Sequence, residues 1–322
     1  MEKIVIKCPD ALLDKNDRIT QLLTNCKEWI YSEPILTLIH LFNRDSDFSG
    51  YGNNYEKDIV KLHEFAQIWD FRKGQERWAI NDNSFVESNA HVILDAAYML
   101  DLRDHIKPCQ EADYIIPLGG ARRANYVRPL MAKTVVDSNG WHNKTIVALS
   151  GTRPINDIEK PYMKDYAQTA ATEYEAICSG LEKAFGVRHF NEEKKETGNI
   201  NLQSAIRRYE KDNNNNNLYC IAAPSTEPKI RRANSWDTFK FFLDLFDIKE
   251  GSRLLLVTSC IYVPFQLLKF MSLALENWFE VDCIGADPLD EYALSKTSNY
   301  LQEIKGTIDT IFEITKRYSW II

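Results

Sequence analysis

The sequence predicts an α/β protein: a doubly wound, mostly parallel sheet with helices on both faces and a helical flank at the N-terminus. Two observations carry this expectation. From residue 113 onward, short apolar runs alternate with stretches of helical length, the pattern of a parallel sheet covered on both faces. Before residue 110, amphipathic stretches follow one another without a strand pattern between them. The right-handedness of strand–helix–strand crossovers then winds the sheet in two directions. The expected division is 1–110 as a helical flank or cap and 111–322 as the α/β domain, with a mobile insertion at 191–217.

In chain order, Arg18 to Tyr31 carries Ile19, Leu22, Leu23, Trp29 and Ile30 at helical spacing. Pro34 to Phe42 is apolar enough to be buried, and Tyr55 to Asp70 repeats Ile59, Leu62, Phe65 and Ile68 near a 3.6 period. Asp45 to Asn54 reads as a loop. Ser84 to Leu102 predicts one amphipathic helix, with Ser84 as N-cap and Glu87 at the capping-box position. The first strand is Asp113 to Leu118, ending in Gly119-Gly120 before a helix. The second is Thr145 to Gly151, followed by a crossover helix over Gln168 to Phe185. Within the insertion, Leu202, Ala205, Ile206 and Tyr209 predict an amphipathic helix, and the asparagines at 213–217 a low-complexity surface loop. Leu218 to Thr226, Arg253 to Ser259 and Phe279 to Gly285 are three further strands. Helices are expected over Asn234 to Phe246, Val263 to Trp278, and within Asp290 to Tyr318.

Composition narrows the function classes. With 44% hydrophobic and 26% charged residues the chain is ordinary globular material. A net charge of -7 argues against general nucleic-acid binding, which needs a basic face. Seven cysteines without a C-x-x-C pair read as free thiols in a reducing compartment, so a cytoplasmic location is expected. No run approaches the ~18 apolar residues of a membrane span, and the first residues lack a signal-peptide core. P-loop, dinucleotide-fingerprint and nucleophile-elbow motifs are missing, and the six histidines show no metal spacing.

Ligands of open parallel sheets bind outside the carboxyl ends of the strands, and those ends are rich in small and polar residues here. They offer Gly119, Gly120, Arg122 and Arg123, with Arg128 in the following helix; then Ser150, Gly151 and Arg153; then Ser225 and Asn234; then Thr258, Ser259 and Tyr262. Glycines let a backbone approach a ligand closely, and arginine forks suit phosphate or carboxylate. The expected ligand is therefore an anionic small molecule. Glu173, near a helix start, suits a general base or a ribose-hydroxyl acceptor; a favourable first-turn charge explains it equally well. Serine, threonine and glycine at these ends are also ordinary caps and turn formers.

Taken together, Leu118-Gly119-Gly120, Arg128, Ser150-Gly151, Thr172-Glu173 with Ala176, Ser225, Asn234 and Thr258-Ser259 resemble the YdcF-like and SanA-like proteins. The resemblance spans about residues 112 to 287. Arg231 stands where that pattern has a threonine, and Tyr262 and Phe265 stand where it has a histidine and an arginine. The resemblance implies a Rossmann-like domain that binds nucleotide-like ligands, including S-adenosylmethionine. Three functions are carried forward: a transferase or hydrolase acting on a nucleotide-like or phosphorylated small molecule, a sensor that binds such a ligand without turnover, and an interaction protein with a relict pocket whose N-terminal helices (residues 1–110) and asparagine-rich loop contact a partner.

Overall fold

A computed structural model of the chain describes residues 2–43, 48, 50–52, 54–74, 80–104, 110–286 and 296–320. The N-terminal third holds α1 (Lys15–Ile30), α2 (Glu33–Phe42), α3 (Tyr55–Phe65), α4 (Ser84–Ser88) and α5 (Ala90–Met99). Then come β1 (Tyr114–Pro117), α6 (Ala124–Ser138), β2 (Thr145–Ser150), α7 (Glu173–Phe185), β3 (Phe190–Lys195), β4 (Ser204–Tyr209) and β5 (Asn217–Ala222). The chain continues through α8 (Ser235–Leu245), β6 (Arg253–Ser259), α9 (Val263–Asn277), β7 (Glu280–Ala286) and α10 (Thr297–Tyr318).

These elements form two compact units. One comprises Met1–His105, Cys260–Asn277 and Glu291–Ile322; the other Ile106–Ser259 and Trp278–Asp290. The helical unit buries Trp29, Trp69, Ile19, Leu22, Leu38, Phe270 and Ile308. Asp14 starts α1 by accepting from the Asn16 and Asp17 N–H groups. The single helix expected over 84–102 is two. Asn83, not Ser84, is the N-cap, and the break falls at Asn89, whose side-chain amide donates to the Phe85 carbonyl at 2.7 Å. A side chain bonded to its own backbone competes with helix continuation there. The loop expected at 45–54 falls partly outside the described residues, as does the start of the helix expected from Asp290.

The other unit is a seven-stranded sheet in the order β3-β4-β5-β2-β1-β6-β7. The five strands β5-β2-β1-β6-β7 are parallel. The chain steps outward from β1 to β2 to β5, then returns past them to place β6 on the other side of β1. With right-handed crossovers, that reversal requires helices on opposite faces, and the alternation of side chains shows it. Ile115, Ile146, Ala148, Leu218, Cys220, Leu255 and Val257 share one core with Val127, Ala132 and Val136 of α6 and with Tyr174, Ile177, Cys178 and Leu181 of α7. Their neighbours Tyr114 and Tyr219 point the other way, with ring centroids 5.9 Å from Phe242 and 5.1 Å from Phe246, on and just after α8. The sheet is thus doubly wound as expected.

The 191–217 segment departs from expectation. Where Leu202, Ala205, Ile206 and Tyr209 predict a helix, Leu202 ends a 3-10 turn (Ile200–Leu202) and Ser204–Tyr209 is a strand. β3 and β4 are a hairpin antiparallel to each other, and β4 is antiparallel to β5 at the sheet edge. The two buried residues of β4, Ala205 and Tyr209, stand four apart on one face of the strand, a spacing that over so short a stretch fits either period. The asparagine run closes this edge: buried Asn216 accepts the Lys144 N–H at 2.8 Å, and its amide donates to Asp212 at 3.0 Å.

Candidate functional site

The strand order reverses between β1 and β6, so the switch point lies at their carboxyl ends. Leu118, Gly119 and Gly120 follow β1, and Ser259 ends β6. Arg128, one turn into α6 and 4% exposed, folds back over them. Its Nη1 donates to the Leu118 and Gly119 carbonyls at 2.8 and 2.6 Å, and its Nη2 to Ser259 Oγ at 3.2 Å. The guanidinium therefore satisfies carbonyls that the ladder leaves open where β1 ends.

Face parity sorts the expected residues. Gly119 and Ser150 share the α6/α7 face with Ile115 and Ala148, as does Ser259 with Val257. Thr258 is one residue out of phase with Ser259 and fully buried, so it belongs to the opposite face. A Cβ at Gly119 would lie 2.7 Å from Glu173 Oε1, 2.8 Å from the Leu149 carbonyl oxygen and 3.2 Å from Ser150 Oγ. Glycine is required there because the Leu149 carbonyl oxygen, a backbone atom, leaves no room for a Cβ, and the Glu173 carboxyl fills what remains of the niche.

Glu173 begins α7, which Thr172 caps through a reciprocal capping box with Glu175. Arg153 Nε donates to Glu173 Oε2 at 2.8 Å. The two terminal nitrogens of Arg153 go elsewhere: Nη1 to Glu159 Oε2 at 2.7 Å and Nη2 to Glu159 Oε1 at 2.8 Å. Burial pushes the Glu173 carboxyl above its ordinary value of 4.5, with Arg153, Arg232 and Arg128 pulling it back only in part. Burial acts the same way on Glu159, but there the Arg153 fork and the N–H groups of Asn156 and Arg122 win and hold the carboxyl below its ordinary value. One arginine thus joins two carboxyls of opposite tendency.

The remaining arginines differ in how they are held. Arg123 pairs with Asp165 at 2.9 Å. Arg231 pairs with Glu227 and with buried Asp237, whose carboxylate also accepts the Thr226 hydroxyl and the Asn234 N–H. Arg232 is exposed. Arg122 has φ 55, a strained value for a side-chain-bearing residue. The Tyr166 hydroxyl bonds its carbonyl, and its guanidinium stacks 4.5 Å from the Tyr162 ring centroid. Among the described residues Arg122 has no carboxylate within ion-pair distance.

The other expected residues take local roles. Gly120 donates its N–H to Asn125 Oδ1 at 2.9 Å. Ser225 Oγ accepts the Glu227 N–H at 3.0 Å. Asn234 caps α8 in a capping box with Asp237. Gly151 continues the β2 end beside Ser150, and Tyr262 belongs to the helical unit. Glu159 was not singled out from the sequence. Its signal was Asn156-x-x-Glu159: Asn156 Oδ1 accepts the Glu159 N–H, and Glu159 Oε2 accepts the Asn156 N–H, a capping-box spacing on a short turn.

The described residues contain no group of histidine, cysteine and carboxylate side chains suited to a metal ion. Among them, no helix is long and apolar enough to cross a membrane.

Residues 14–101 match a family model described as the Rv3785 N-terminal domain. The chain is 24% identical over 335 residues to uncharacterized protein Mb3814 of Mycobacterium bovis, covering 94% of this chain and 91% of the relative. The same figures hold for uncharacterized protein Rv3785 of Mycobacterium tuberculosis. No solved structure matches. These matches overturn the resemblance to the YdcF-like and SanA-like proteins: the family model and the relatives belong elsewhere. The short motifs behind that resemblance are what strand ends and caps of any doubly wound sheet require.

Proposed function

We propose that the strand ends around Gly119 bind a phosphorylated or nucleotide-like small molecule, with Glu173 as the group that exchanges a proton with it or accepts its hydroxyl. The observation that carries this reading is the convergence of Gly119, Arg128, Ser150, Glu173 and Ser259 on one face at the switch point. Arg122 is the phosphate contact in this reading, because its charge has no described carboxylate partner and Tyr162 supports its plane. Arg128 and Arg153 hold protein groups and shape the site. A carboxyl with proton affinity raised by burial, beside a hydroxyl-lined niche, suits acid–base work. The activity classes are transfer or hydrolysis at the phosphorylated group; a sensor would use the same contacts without turnover.

Thermal-shift measurements with inorganic phosphate, nucleotides, sugar phosphates and S-adenosylmethionine test the binding. A ligand at a hundredfold excess over Kd stabilises by about 2.7 kcal/mol. Arg122→Ala should weaken a phosphorylated hit at least tenfold, about 1.4 kcal/mol. Glu173→Gln should keep binding and abolish turnover; product analysis of a hit separates enzyme from sensor. No shift with any of these ligands ends the reading.

A further inference from the structure

We propose that Glu159 is a positioning residue: by taking both terminal nitrogens of Arg153 it leaves only Nε for Glu173 and keeps Glu173 Oε1 turned into the Gly119 niche. The geometry has three parts. Glu159 is fully buried, so its charge requires a partner. Its two oxygens take the two Nη groups at 2.7 and 2.8 Å, a fork-on-fork arrangement that fixes the guanidinium plane. The remaining Nε reaches one oxygen of Glu173, Oε2, and the other, Oε1, is the atom that a Cβ at Gly119 would meet. A carboxylate facing an unoccupied arginine takes the fork on both oxygens. Glu159 prevents that here, so the presented oxygen and its proton affinity are set from the far side of Arg153.

The groups facing Glu173 come from several elements. Arg153 and Glu159 lie on the loop after β2, Arg128 on α6, and Arg232 on the loop before α8. Tyr166, on the loop before α7, senses the Glu173 charge. Of these, only Glu159 competes with Glu173 for the Arg153 guanidinium.

The inference rests on reading Glu173 as the acid–base group, but its test needs no ligand. The titration of the Glu173 side-chain carboxyl is followed by carbon NMR in wild type and in Glu159→Gln. The proposal expects wild-type Glu173 to titrate above the ordinary carboxylate range. In Glu159→Gln its midpoint should drop by at least one pH unit, as a freed Nη turns onto it. A purely structural role would lower the melting temperature and leave the midpoint where it was; that result overturns the proposal. If Glu159→Gln does not fold, the Arg153 side-chain nitrogen spectrum of the wild type decides. The Nη signals should stay resolved as the pH passes the Glu173 midpoint, because Glu159 holds them. Averaging of those signals when Glu173 takes up its proton overturns the proposal equally. Absence of any anion-induced thermal shift would end the ligand reading while leaving this titration interpretable.

Discussion

At the residue scale the site depends on the match between Gly119 and Glu173. A methyl group at 119 meets a backbone carbonyl oxygen at 2.8 Å as well as the carboxyl at 2.7 Å, so side-chain movement alone does not relieve it. Gly119→Ala should destabilise by about 1–3 kcal/mol, the range for overpacking, and should displace Glu173; equilibrium denaturation measures the first. Glu173 itself is held against its preference. Because burial raises its folded-state carboxyl above the unfolded value, the folded protein retains a proton that the unfolded chain releases in that window. Stability at this group is therefore present below the ordinary value of 4.5 and falls as the pH rises through the raised one. Glu173→Gln carries no such dependence. It should melt higher than wild type at pH 8, with the gap closing by pH 4; a lower melting temperature at pH 8 would contradict the assignment. Glu159 has the opposite sign, stabilising above its ordinary value and losing that contribution as the pH falls through its lowered one.

At the element scale, the packing of α6 on α7 hinges on Gly180. A Cβ there would fall 1.9 Å from the Asn125 carbonyl oxygen, a backbone atom of the facing helix. The helices approach closely because this position has no side chain. Gly180→Ala should force them apart and cost about 3 kcal/mol or more, beyond the usual overpacking range. Since α6 carries Arg128 and α7 carries Glu173, the variant should also lose ligand-induced stabilisation. A Gly180→Leu variant as stable as wild type would contradict this close packing. The sequence made Gly119 and Gly120 legible because they follow an apolar strand run. Gly180 sits mid-helix, where a glycine gives no sign of what faces it. The β3–β4 hairpin was illegible for a related reason. Its edge position leaves Phe190 to Lys195 mostly exposed, so no apolar pattern marks the strand, and its partner carries too few apolar residues to fix a period.

At the scale of the whole molecule, the alternation of apolar runs and amphipathic stretches was enough to give the five parallel strands and the doubly wound sheet. The switch point between β1 and β6 is a property of strand order rather than of particular residues. Which arginines are paired with carboxylates did not follow. Arg122, Arg123, Arg153 and Arg231 are alike in sequence, and only the fold shows that Asp165, Glu159 with Glu173, and Asp237 with Glu227 accompany three of them. Assignment of α9 and α10 to the helical unit was likewise beyond reach, since each follows the strand rhythm of the other unit along the chain.

The central claim is that residues from β1, β2, β6, α6 and α7 form one anion-binding site on a single face of the sheet. Amide chemical-shift mapping during titration with the best anionic hit from the thermal screen tests it most directly. The account predicts saturable shifts confined to the amides of Gly119, Gly120, Arg122, Ser150, Glu173 and Ser259. Shifts centred on other strand ends, on the opposite face or in the helical unit, with these six unmoved, would contradict it.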